Sequence, residues 1–269
     1  MKTFIVDSFT EEPFKGNPAG VCFVDGYLEP DRMILIAQEL NLSETAFIQP
    51  TSSNGNFSIR YFSPKMEIPL CGHATLASAQ VVFMTEGIKE AQFKTSEGLN
   101  LTTKELDGQI VLEFPLYKTE PAEAPPALLA ALGIDTIVNA AYNHETKILL
   151  LETGNAQTLA SLRPNFGALL QSHDSINGVL VTTATGTGDY DFHSRYFWPW
   201  SGTNEDPVTG GTHTFLTPYW SKRLGKAKMK SFQSSQRTGS MEVEIVDRKL
   251  FIKSSAVIVF AGELFLNQG

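Results

Sequence analysis

The sequence predicts an α+β chain made of two copies of one folding program, and three observations carry that reading. Residues 60–76 read RYFSPKMEIPLCGHATL and residues 195–214 read RYFWPWSGTNEDPVTGGTHT, so Arg-Tyr-Phe-x-Pro, an acidic stretch and a Gly-led helix start occur twice. Arg60 and Arg195 are 135 positions apart and Gly72 and Gly210 are 138 apart, about half of the 269 residues, with a small insertion around WSGTN in the second copy. Each copy also sets short β-branched runs around a helix with little polar face, which belongs inside its domain. A chain of this length exceeds the usual single-domain size, so two domains are expected, 1–118 and 119–269.

The elements follow in order. Residues 3–6, 21–24, 46–48, 58–62 and 109–114 alternate or are β-branched, and each run is bounded by Gly, Pro, Asn or Asp, which predicts strands. EPDRMILIAQELN predicts an amphipathic helix: Pro30 suits the first turn, Met33, Ile36, Ala37 and Leu40 share a face, and Asn41 ends it. A second, buried helix starts at Gly72 or His73 and runs to Gly87. LYKTEPAEAPP, residues 116–126, is acidic and Pro-rich and reads as a linker. Beyond it come a helix in PALLAALG, strands near 137–141 and 147–151, a helix from about Asn155, and strands near 179–183 and 191–197. GGTHTFLTPYWSKRLG then predicts a second buried helix, kinked at Pro218, before strands near 241–246, 249–253 and 256–260. GTGDYD at 186–191 lacks the third Gly of a dinucleotide loop and precedes a strand, so it reads as a hairpin turn. Trp198, Trp200 and Trp220 with Phe197 and Tyr219 read as an aromatic cluster near the second helix start.

Composition narrows the function. A hydrophobic content of 42% with 19% charged residues is ordinary for a globular chain, and a net charge of −8 argues against nucleic acid or an anionic membrane as partner. No apolar run has signal-peptide or membrane-spanning length, and Cys22 and Cys71 are the only cysteines, so the chain is read as cytoplasmic and reduced. Its five histidines do not fall at helical ligand spacing, and neither a metal nor a cofactor is expected. Two Gly-led helix starts, at Gly72/His73 and Gly210/Gly211, would present N–H groups and positive dipole ends to one small carboxylate if the duplication brings them together.

Four motifs then carry a resemblance. GNPAGV at 16–21, LNLSETAFI at 40–48, FSPKMEIPLCGHATLASA at 62–79 and NEDPVTG at 204–210 resemble, in order, the PhzF-like (phenazine-biosynthesis isomerase) family, itself related in fold to diaminopimelate epimerase and proline racemase. The resemblance implies two pseudo-symmetric domains, each a curved mixed sheet around a central helix, with the active site in the cleft between them. It also implies cofactor-independent proton transfer, commonly in a homodimer. Carried onto this chain, the family's catalytic residues fall on Glu44, His73 and Asp206. Taken singly, Glu44 reads as a solvated turn carboxylate and Asp206 as a turn or cap residue, and His73 reads equally as a helix-start histidine satisfied by a carbonyl; the motif context reverses the reading for Glu44 and strengthens the functional one for the others.

The chemistry asks for such a set. One group must accept and redeliver a proton in a dry cleft that raises its proton affinity, and Glu44 can do both. His73 and Asp206 would orient the substrate, and Asn17, Gly72, Gly210, Gly211 and Thr212 would bind it. Racemase relatives use two cysteines on paired helix starts; here Cys71 holds the first position and Thr209 the second, which disfavours a two-thiol mechanism. Gly211 stands where the family usually has Ser, with Thr212 and His213 as the nearest replacements. The expected activity is therefore a cofactor-independent isomerase of a small carboxylate. The alternatives are a non-catalytic ligand-binding or scaffold protein of the same fold, and a lyase or hydratase using the same glutamate.

Overall fold

The computed structural model describes residues 1–51, 54–186 and 188–266, and they form two compact units. One holds Met1–Glu113 and the chain from Ile252 onward; the other holds Phe114–Phe251. The division expected from the sequence differs at both ends. The C-terminal strand Ala256–Glu263 belongs to the first unit because it pairs antiparallel with Lys2–Ser8, a partner no local pattern reveals. Residues 116–126 are more than a linker: Glu120–Pro121 pairs with Asn139–Asn143, and Ala122 and Ala124 pack on the core of the second unit.

The first unit is a mixed sheet. Lys2–Ser8 runs antiparallel to Asn17–Phe23, which lies parallel to Glu44–Pro50 after the crossover helix Pro30–Leu40. Glu44–Pro50 pairs antiparallel with Asn56–Phe62, which is flanked by the short antiparallel strand Glu67–Ile68 and the parallel strand Glu90–Thr95. Asn100–Leu106 and Gln109–Phe114 extend it as antiparallel neighbours. The helix Gly72–Glu86 touches strands from both ends of this order, and ten of its residues from His73 to Phe83 are buried. Gly87 takes the left-handed conformation that stops it, as Asn41 does for Pro30–Leu40.

The second unit repeats the pairing scheme. Asn139–Asn143 is antiparallel to Ile148–Glu152, which is parallel to Gly178–Ala184, which is antiparallel to Phe192–Trp198. That last strand again has a short antiparallel neighbour, Thr203–Asp206, and a parallel one, Lys228–Gln233, which pairs on with Gly239–Val246. Thr187, within the turn expected at 186–191, lies outside the described residues; the strands on either side pair with Ala184 opposite Phe192. Asn155 caps its helix by accepting the Thr158 N–H at 2.8 Å, and Asn165 caps a further short helix, Phe166–Gln171.

Pro218 sits inside the buried helix His213–Leu224, which runs through it. A proline has no N–H for the carbonyl one turn back, an omission worth about 3 kcal/mol when uncompensated. Here that carbonyl, on Thr214, accepts the Tyr117 N–H at 2.9 Å instead. The aromatic cluster expected around this helix separates into two. Trp220 stacks on Phe192 at 5.8 Å and donates to Thr182 Oγ1 at 2.9 Å, whereas Phe197 and Trp200 belong to the core built on Leu128, Leu132 and Leu169.

The repeated Arg-Tyr-Phe now has a physical meaning. Arg60 forks onto Glu67 through bonds of 2.8 and 2.7 Å, and Arg195 onto Glu205 through bonds of 2.7 and 2.8 Å. Each guanidinium also lies over the phenylalanine two residues on, at 5.2 Å for Phe62 and 4.9 Å for Phe197. Each fork ties the middle strand to the short strand that follows it. Only Arg195 is deeply buried, and it further donates to the carbonyls of Leu159 and Leu162 at 3.1 and 3.0 Å. Arg195→Ala is therefore expected to cost about 3–5 kcal/mol, because Glu205 and two carbonyls lose their partner, and Arg60→Ala about 1 kcal/mol or less, as measured by urea unfolding.

Candidate active site

Four chain segments of the first unit converge on His73. It is the second residue of the helix Gly72–Glu86, whose N-cap, Cys71, is extended and makes no side-chain cap bond. Its Nε2 lies 3.2 Å from Glu44 Oε2, its Nδ1 lies 3.3 Å from Cys71 Sγ and 3.4 Å from Asn17 Nδ2, and its carbonyl accepts the Ser8 hydroxyl at 2.8 Å. Glu44, Asn17, Cys71 and His73 are all buried. The sheet sets their positions: Glu44 opens its strand opposite Ala19, two residues beyond Asn17, which opens the neighbouring one. Gly16 turns the chain into Asn17 at φ 65°, and a Cβ there would stand 2.0 Å from the Ser8 carbonyl oxygen. Only glycine meets both conditions.

The electrostatics differ from the expectation of a carboxyl with raised proton affinity. Burial does push the Glu44 carboxyl up, but the hydrogen bond and charge of His73 outweigh it and hold it below its ordinary 4.5. For His73, burial opposes the charge, and the Cys71 sulfur and the Glu44 carboxylate overcome it, so the imidazole is held well above its ordinary 6.5. Burial raises the Cys71 thiol above 9.0, with Glu44 adding to the rise. The directions of the Glu44 and His73 shifts favour a carboxylate–imidazolium pair between them.

The remaining expected residues lie in the second unit. Asp206 closes the strand Thr203–Asp206; its carboxylate accepts the Thr209 hydroxyl, and its carbonyl accepts Gln233 Nε2 at 2.7 Å. Gln233 Oε1 in turn accepts the Thr209 N–H at 3.0 Å, and the Ser235 hydroxyl donates to the Pro207 carbonyl. Gly210 and Gly211 do not begin the helix, as the sequence suggested. They form a turn whose carbonyls accept the N–H groups of His213 and Thr214 at 3.1 and 3.3 Å, and the helix starts at His213. The Thr212 hydroxyl donates to the Thr209 carbonyl at 3.0 Å. His213 is buried near Phe192, Thr217 and Ser231, and burial pushes it down to about 3, so it stays neutral and is no relay at neutral pH.

Ser8 and Gln233 are positioning residues that sequence reasoning missed. Neither stands in a motif; each is one polar residue in a strand whose partner lies tens of positions away. The expectation of no metal rested on histidine spacing, and spacing is blind to donors from separate segments. Glu44, Cys71 and His73 offer three ligand atoms within 4.8 Å of one another.

The chain thus holds a buried acid–base pair at the start of an internal helix and repeats its strand scheme, and its relatives include proteins named as isomerases. Residues 6–262 match the family described as phenazine biosynthesis-like protein (PhzC-PhzF), and the chain belongs to that family. It is 42% identical to phenazine biosynthesis-like domain-containing protein 2 of Mus musculus, over 97% of this chain and 98% of that one. It is 38% identical to an uncharacterized isomerase of Pseudomonas aeruginosa, over 98% of each. A PhzF-family phenazine biosynthesis protein of Enterococcus faecalis has a crystal structure that superposes with a TM-score of 0.91 at 36% identity, covering 98% of this chain and 99% of that one. A probable proline racemase of Agrobacterium radiobacter, at 11% identity and a TM-score of 0.61 over 99% and 93% of the chains, shares the fold.

The paired shifts fix a pH profile. If Glu44 works ionised, kcat/KM rises with pH through its depressed value, below 4.5, and stays level until the imidazolium is lost above 6.5. His73→Leu removes the main interactions that oppose burial at Glu44, so the acidic limb should move to higher pH. A limb that stays in place would show that His73 does not hold the carboxyl down. Gly211 has no positive φ, and a Cβ there would meet nothing within 4 Å. Gly211→Ser should fold with an unchanged melting temperature to within a few degrees, and its turnover compared with the parent chain reads whether a hydroxyl at this position matters.

Proposed function

We propose that this chain is a cofactor-independent isomerase that moves a proton between carbons of a small carboxylate-bearing metabolite. The observation that carries the reading is the buried Glu44–His73 pair, 3.2 Å apart at an uncapped helix start. Glu44 is the proton carrier. His73 orients it, and the N–H groups of the helix start stabilise the anion that forms next to the substrate carboxylate. Asp206, fixed by Thr209 and Gln233, is assigned to the substrate's remaining polar groups. A homodimer is the proposed assembly.

A carbanion or dienol intermediate exchanges a substrate C–H with solvent. Candidate carboxylates incubated with the protein in heavy water should therefore gain deuterium, and the product should keep the substrate's mass apart from that label; a change by one water would indicate the hydratase reading. Glu44→Gln should lower turnover about a hundredfold to ten-thousandfold with ligand affinity nearly unchanged, and Cys71→Ala should be milder. Binding without exchange across substrates with an acidic C–H would favour the scaffold reading. Loss of turnover in Cys71→Ala with Glu44→Gln still active would make the thiol the carrier.

A further inference from the structure

We propose that Glu44, Cys71 and His73 form a binding site for a thiophilic divalent cation, zinc being the type, and that its occupancy silences the proton carrier. Binding rests on geometry alone; only the silencing rests on the function proposed above. The three donors differ in kind, carboxylate oxygen, thiol sulfur and imidazole nitrogen, and come from the start of one strand and the first turn of one helix. A tetrahedral zinc with bonds of about 2.0 Å to N and O and about 2.3 Å to S separates N from O by about 3.3 Å and N from S by about 3.5 Å. His73 Nε2 lies 3.2 Å from Glu44 Oε2 and 3.9 Å from Cys71 Sγ, and the three ligand atoms all lie within 4.8 Å of one another, so side-chain rotations that close the wider edges by about an ångström complete three corners.

The chemistry of the set selects the ion. A thiolate excludes magnesium and calcium, and thiolate plus carboxylate neutralise a dication in a site that is almost dry. The helix start favours both anionic ligands. Binding through Nε2 leaves Nδ1–H facing the Asn17 amide at 3.4 Å, whose oxygen turned inward would accept it and fix the ring. Two protons leave to solvent, one from the thiol and one from the imidazolium. The fourth corner is left for water or for the substrate's carboxylate. With zinc in place, His73 Nε2 has no lone pair left for a proton, and the charge of the metal lowers the proton affinity of the Glu44 carboxylate.

Cobalt(II) is the probe, because a cysteine ligand gives a sulfur-to-cobalt charge-transfer band and a tetrahedral site gives intense visible bands. Chelator-treated, reduced protein titrated with cobalt should develop both bands at one equivalent, and zinc should bleach them. Cys71→Ser should abolish the charge-transfer band, Asn17→Ala should weaken affinity about 10–100-fold, and Glu44→Gln should keep the charge-transfer band at reduced affinity. Cys22→Ser is the control: Cys22 is buried beside Thr3, 3.6 Å away, and its loss should leave the spectrum unchanged. Circular dichroism confirms that each variant is folded. Absence of the band, its survival in Cys71→Ser, or its loss in Cys22→Ser would overturn the site. A stoichiometric cobalt band with undiminished turnover would uphold the site and overturn the assignment of Glu44 as proton carrier.

Discussion

A helix that is apolar on nearly every side has one stable location, and the first unit is organised by that constraint. From His73 to Phe83 the helix Gly72–Glu86 buries ten residues, so strands must meet it on several sides, and they come from both ends of the first unit's strand order. Wrapping the helix buries its first turn too. Polar groups there cannot rely on water, and an ionised side chain left alone in that position would lose its charge. Glu44 and His73 satisfy each other, Ser8 takes the His73 carbonyl, and the site is the local solution to a packing problem.

Much of this was legible in the sequence, for identifiable reasons. The helices at 30–40 and 72–86 carry strong stops at Asn41 and Gly87, and their apolar patterns separate a half-buried helix from a wholly buried one. Glu44 and His73 were found through motifs, and the structure brings them together. Less legible was anything set by distant pairing. Glu90–Thr95 and Lys228–Gln233 alternate in burial but are poor in β-branched residues, and they become strands because each finds a parallel partner, at Asn56–Phe62 and Phe192–Trp198. The return of Ala256–Glu263 to Lys2–Ser8 spans nearly the whole chain. The sign of the Glu44 shift was misread for a related reason: burial was legible, but the distance to His73 was not, and that distance decides the outcome.

The duplication shows which parts of the program are structural and which are chemical. Both copies keep the Arg–Glu fork, the phenylalanine under it and the parallel strand beyond the helix. The helix starts have diverged. One carries Cys71 and a charged His73; the other carries a glycine turn and a histidine kept neutral by burial. Interactions that hold a strand to its neighbour occur in both copies, whereas the buried Glu44–His73 pair occurs at the first helix start alone of the two. Near the second, the Asp206 carboxylate accepts the Thr209 hydroxyl.

The resting electrostatics also bear on the kind of substrate that the proposed function requires. A carboxylate held below its ordinary value by an imidazolium is a weak base, and a weak base does not take a proton from carbon at a useful rate. Burial at Glu44 works in the opposite sense, so the proton affinity that catalysis needs is stored in the site and masked by His73. A neutral ligand leaves that mask in place. An anionic ligand that draws the imidazolium to itself removes it, and desolvation at Glu44 then loses its main opposition. On this reading the substrate's carboxylate is more than a handle for binding: its charge turns Glu44 into a base, which ties the substrate class to the one ion pair the buried helix imposes.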